Sequence, residues 1–245
     1  EIESLVQEEY PDADLRWTSW VNWDFLNSPG SSTPELAGIR TAILGSLWMI
    51  GITIFVAFPL GVGAAIYLEE YADKRHRLNR VIQTNINNLA GVPSIIYGLL
   101  GLTIFVRALG GITQGRTVLS AGLTMALLIL PLIIINAQEA IRAVPDSLRQ
   151  ASYGVGATKW QTIWHHVLPV AFPGILTGNI LAMSRAIGET APLIVVGAST
   201  FITFDPDGPF SRFTALPILI YDWTKRPQEE YLSLIHISEP TRQAE

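Results

Sequence analysis

Cysteine is absent from this sequence, which excludes disulfides, thiolate metal sites and cysteine nucleophiles. Charge is scarce: Asp, Glu, Lys and Arg make up 15% of the 245 residues, against about a quarter in a soluble domain. Hydrophobic residues reach 49% and the mean hydropathy is +0.34, an excess that points to a bilayer as solvent. Catalytic signatures are missing too. There is no His-Glu-x-x-His and no Gly-x-x-x-x-Gly-Lys-Ser/Thr loop, so ATP chemistry would need a separate subunit. No Asp lies within the long apolar runs, and His76, His165, His166 and His236 all lie outside them. That leaves no Ser–His pair or aspartate dyad for intramembrane proteolysis. Glu189 is the one carboxylate inside the runs, fewer than a proton- or sodium-coupled carrier would need.

What is present is a set of four apolar stretches. Thr41 to Leu68 has no ionisable side chain except Tyr67, and as a helix it would extend about 42 Å. Ile86 to Val106 and Thr117 to Gln138 follow, with Pro93 and Pro131 inside them. The fourth begins at Val167, is interrupted by Arg185 and Glu189, and is expected to end near Ala198. Spans over 41–68, 86–106, 117–138 and 167–198 make this an all-α polytopic membrane protein.

Cations orient the spans. Lys74, Arg75, Arg77 and Arg80 follow the first, and Arg142, Arg149 and Lys159 follow the third, whereas Gly110 to Arg116 is short and glycine-rich. The first two connections, including the loop 139–166, are expected in the cytoplasm. Residues 1–40 and 199–231 then lie outside, with 41–231 as the permease domain. Trp17, Trp20, Trp23 and Phe25 suit headgroup depth. Phe213 to Trp223 reads either as an interfacial cap or as a core helix of an external lobe. An external N-terminal segment implies a further span before Glu1, and the same count places one after Tyr231, giving six in the intact protein. Leu232 to Arg242 resembles a translated transposase sequencing adapter, so 232–245 is expected to be an artefact.

The loop 139–166 is patterned for two helices. Ser147 with Gln150, and Thr158 with Gln161, have capping-box spacing, and Gly154 and Gly156 separate them. Trp160, Ile163, Trp164 and Val167 are expected on one face of the second helix. Such an exposed apolar face needs a partner.

These residues resemble the coupling loop of ABC-importer permeases. Gln150-Ala151-Ser152, Gly156 and Leu168-Pro169 match its Glu-Ala-Ala, Gly and Leu-Pro elements, with Gln150, Ser152 and His166 departing from the usual residues. Val92 to Gly101, Val144 to Arg149, Gly156 to Gln161, Arg185 to Pro192 and Phe213 to Pro217 are similar, more narrowly, to phosphate-transport permeases. The likeness runs from Trp23 to Tyr231. It implies the type I (MetI-like) permease fold in a bacterial inner membrane, truncated at both ends. It implies that Gln150, Ala151, Ser152, Gly156, Lys159 and Trp160 meet an ATPase subunit. The expected partners are a second permease subunit, an ATP-binding cassette dimer carrying ATP and Mg, an external phosphate-binding protein and membrane lipid, with no nucleic acid. No catalytic residue, metal or cofactor is expected on this chain itself.

Arg185 and Glu189 are four residues apart and are expected to share one helix face. A charge at bilayer depth faces a cavity, a partner or a pathway. On the residues alone, a structural ion pair and an oxyanion path are both open. A guanidinium matches an oxyanion with parallel hydrogen bonds and stays charged; Glu189 would keep the anion from binding too tightly, and Thr190 would add a hydroxyl. The resemblance favours the path, because the matching Arg and Glu of the family are associated with phosphate passage. A permease for another oxyanion, molybdate or sulfate, is the alternative.

Overall fold

The computed structural model describes residues 23–73, 75–199, 202–227, 231 and 234. Trp17, Trp20 and all of the adapter-like tail except Leu234 lie outside the described residues, as do the expected flanking spans. Every regular element among the described residues is helical.

Three helices are long and apolar enough to cross a membrane. The first, α2 (Arg40–Ile66), follows the short α1 (Trp23–Asn27) and runs on through a π-type turn at Tyr67–Tyr71. After α3 (Arg77–Ala90), α4 (Ser94–Gly101 with a π-type continuation over Leu102–Ala108) and α5 (Gly110–Thr113) comes the second, α6 (Val118–Arg142). Next are α7 (Asp146–Gly154) and α8 (Lys159–Thr162), which leads through a π-type turn at Ile163–Val167 into α9 (Leu168–Gly188). Lys159–Gly188 is the third crossing helix. The chain closes with α10 (Ala191–Val196) and α11 (Leu216–Trp223).

Helix α6 is the hub because its sequence is apolar on every side, so α2, α4 and α9 can all cover it. Small residues set the spacing. A Cβ on Gly122 would lie 2.7 Å from Ile52, and one on Gly61 would lie 2.6 Å from Ile133, so α2 and α6 touch almost backbone to backbone. Pro59, Pro131 and Pro173 sit inside these helices without ending them.

The second expected span is broken. Helices α3 and α4 meet at 105° across Gly91-Val92-Pro93. Pro93 has no N–H to continue α3 and disfavours helix at Val92, so the chain restarts at Ser94. Ile86, Leu89 and Ala90, which gave the run its apolar start, belong instead to an amphipathic helix rich in Asn. The fourth run also divides. Its helix starts early, at Lys159, and stops at Gly188, where Glu189 is extended (φ −77°, ψ 116°). Helix α10 then restarts at Ala191 and ends at Gly197 (φ 102°).

One end of the bundle gathers α1, the start of α6 and residues 205–223. Arg40 pairs with Asp205 at 2.8 Å, Val118 N–H donates to Ser211 O, and Phe25 packs on Trp223. Phe213, Ile218 and Trp223 are fully buried, which makes α11 a core helix of this lobe and not an interfacial cap. The other end gathers the end of α2, the start of α3, and α7 with α8.

Candidate functional site

Arg185 occupies the last turn of α9, where the free carbonyls favour a cation. Glu189 lies beyond the helix end, so the two do not share a helix face; the carboxylate reaches back to Arg185 Nε at 3.6 Å. That is an ion pair too long for a hydrogen bond. No hydrogen bond to a described residue fixes the guanidinium, which stays half exposed at 48%. Its donors are therefore uncommitted. Thr190, at the entry to α10, caps nothing with its hydroxyl and is half-buried.

Helix α4 closes over this break. A Cβ on Gly98 would come within 2.7 Å of Pro192 Cα, so only glycine allows the approach. The neighbouring Tyr97 is buried in one cluster with Ala182 and Ala186 of α9, and its hydroxyl donates to Leu89 O at 2.8 Å. A cation and a counter-carboxylate thus sit at a broken helix, an arrangement able to hold an anion loosely.

The helix-turn-helix at the far end forms as expected in outline. Thr158 and Gln161 make a full capping box. Ser147 and Gln150 do not: α7 starts two residues earlier, with Pro145 at its cap and Ser147 already helical. Pro145, pre-set in φ, supplies the entry that the serine was expected to supply. Gly156 has φ +85° and open space around it, so backbone conformation and not crowding requires glycine there. Gln150, Ala151, Gly156, Lys159 and Trp160 are exposed, whereas Ser152 is buried and joins α7 to α8 through Thr162 Oγ1 at 2.9 Å. The aromatic face splits. Ile163 and Val167 point inward, while Trp160 and Trp164 stack outward, centroids 5.6 Å apart. Lys159 Nζ lies over the Tyr71 ring.

Two acidic residues missed in the sequence hold this loop to the bundle. Glu69 and Glu70, in the turn ending α2, are almost buried. Glu69 binds Arg142 of α6. Glu70 binds Arg149 of α7, whose guanidinium also donates to the Ile141 and Val144 carbonyls and to Asp146. The available signal was two adjacent carboxylates directly after a long uncharged run. Beside them, Gln83 and Gln138 exchange amide hydrogen bonds at 2.8 and 3.1 Å along a cavity of about 360 Å³.

Crossing helices, a broken helix with a loose cation, and an exposed helix-turn-helix clamped to the bundle's end define a multi-pass membrane permease. The chain belongs to the family of binding-protein-dependent transport system inner membrane components, whose model matches residues 57–222. It is 36% identical over 228 residues to Phosphate transport system permease protein PstA 1 of Mycobacterium tuberculosis H37Rv, covering 87% of this chain and 72% of that one. It is 38% identical over 219 residues to PstA of Mycobacterium leprae (88% and 69%) and 33% identical over 206 residues to Probable ABC transporter permease protein YqgI of Bacillus subtilis (83% and 69%). It is therefore an inner-membrane permease component of an ABC transporter.

Proposed function

We propose that this chain forms the path for inorganic phosphate in an ATP-driven importer and couples that path to a separate ATPase subunit. The observation that carries the reading is Arg185, a permanently charged group with free donors at a helix break, countered by Glu189. The names of its relatives support phosphate as the ion. In this reading, a binding protein delivers phosphate at the Arg40–Asp205 end. ATP and Mg bind the cassette dimer, which docks at the exposed Gln150, Ala151, Gly156, Lys159 and Trp160 on the cytoplasmic end. A second permease subunit covers the faces this chain leaves open. Ser152 acts from inside, holding α7 on α8. The test is ATP-dependent uptake of labelled phosphate by the reconstituted complex, with sulfate and molybdate as competitors. Uptake that resists a large excess of both is expected. Uptake of sulfate or molybdate in preference to phosphate would move the assignment to another oxyanion.

A further inference from the structure

Resting on the phosphate reading, we infer that one face of α3, formed by Arg77, Arg80, Thr84, Asn87 and Asn88, lines the inward half of the phosphate route. Over Arg77–Ala90 there is no acidic residue, and these five polar positions recur at helical spacing. All five are exposed, while Ile86 on the opposite side is buried against the bundle. A third flank, Leu78, Ile82 and Leu89, is apolar and exposed, as a lipid-facing surface is, and Asn85 beside it turns its amide onto Val81 O. Val81 adjoins Asn88 at the edge of the polar face, so the helix presents a core side, an apolar flank and a polar face.

Its position decides what that polar partner is. The N-terminal end of α3 lies beside the Glu69–Arg142 pair, and Arg80 and Asn87 line the cavity there with Gln83 and Gln138. Its C-terminal end is held by Tyr97, which donates to Leu89 O and packs in one cluster with Ala186, the residue after Arg185. Between Arg77 and Asn88 the helix rises about 16 Å, roughly half of a 30 Å hydrocarbon layer. Amides at that depth are costly against lipid and face water or a solute instead. Neither Arg77 nor Arg80 pairs with a described acid, and Thr84 turns its hydroxyl onto Arg80 O. The outward donors are two guanidiniums and two amides, which suit an oxyanion. In the cavity Arg142 pairs with Glu69 and stands 3.8 Å from Glu139, and with Arg80 the lining carries two cations against two carboxylates. Binding by amides and lightly held cations is weak enough for release, as a conduction path requires.

Cysteine is absent from these 245 residues, and any elsewhere in the assembly is first replaced by serine. Thr84→Cys, Asn88→Cys and Ile82→Cys are placed singly in the full-length subunit of the assembled transporter, in inside-out membrane vesicles loaded with phosphate and its binding protein. They are treated with an anionic, membrane-impermeant thiol reagent. Thr84→Cys and Asn88→Cys should react about tenfold faster than Ile82→Cys, because the reactive thiolate forms only where water reaches. Inorganic phosphate should slow that reaction, and the modification should stop ATP-driven release of phosphate from the lumen. Labelling of all three at one rate, or of Ile82→Cys alone, would overturn the inference. So would modification at Thr84→Cys and Asn88→Cys that leaves transport intact, or a second subunit that shields both. If the unmodified complex moves no phosphate, the phosphate reading itself fails and this inference falls with it.

Discussion

Arg149 of α7 donates to a single oxygen of Glu70, at the end of α2, through both Nε (3.2 Å) and Nη2 (2.9 Å). The same guanidinium binds the Ile141 carbonyl in the last turn of α6 and Val144 O just beyond it, so one side chain joins the docking loop to two crossing helices. Movement of the loop must therefore be felt in the bundle. Removing one partner of a buried pair leaves an uncompensated charge, at about 3–5 kcal/mol. With Arg149 15% and Glu70 8% exposed, Glu70→Gln and Arg149→Met should approach that range. The check is the denaturation midpoint of the purified complex together with phosphate moved per ATP hydrolysed. Both should fall, and ATP hydrolysis should outlast transport.

Gly98 and Gly63 make opposite predictions. Gly98→Ala puts a methyl group 2.7 Å from backbone at Pro192, so α4 must shift off the Arg185 break. A loss of about 1–3 kcal/mol is expected from overpacking. Gly63, inside α2, has open space around it, and Gly63→Ala should be neutral or gain up to about 1 kcal/mol from helix propensity. Thermal melts of the two variants in the same detergent distinguish them.

Gly156 is constrained by φ alone. Gly156→Val should disrupt the loop at a cost of about 1–2 kcal/mol, while Gly156→Asn, which tolerates the left-handed region, should cost less. Co-purification of the ATPase subunit with each variant is the readout, with Asn retaining more of it than Val.

On the second helix of the loop, Trp160→Ala should leave stability within about 0.5 kcal/mol, because the ring is 58% exposed and stacks only on Trp164. Affinity for the ATPase subunit should drop instead. Titration of that subunit onto the membrane-embedded pair measures it.

What the sequence revealed follows from how local each signal is. Thr158 and Gln161 form their box because both partners lie within one turn. The crossing helices were visible because lipid demands long uncharged runs. Ser147 failed as a cap because a proline two residues before it set the start of α7 first. The break at Pro93 was hidden because Ile86, Leu89 and Ala90 extend an apolar count across a bend that composition does not register. Arg185 and Glu189 were found as a pair but placed on one helix, since spacing alone does not show that α9 stops between them. The Glu70–Arg149 clamp joins residues far apart in the chain, and only the packing of α2 against α6 and α7 brings them together.

The central claim is that Arg185 carries phosphate, and uptake by Arg185→Gln in the fully assembled transporter tests it most directly. Loss of the charge-assisted bonds should cut uptake about 10- to 100-fold, with all subunits still co-purifying and Arg185→Lys recovering part of it. Wild-type uptake by Arg185→Gln would contradict the account and leave the Arg185–Glu189 pair a structural one.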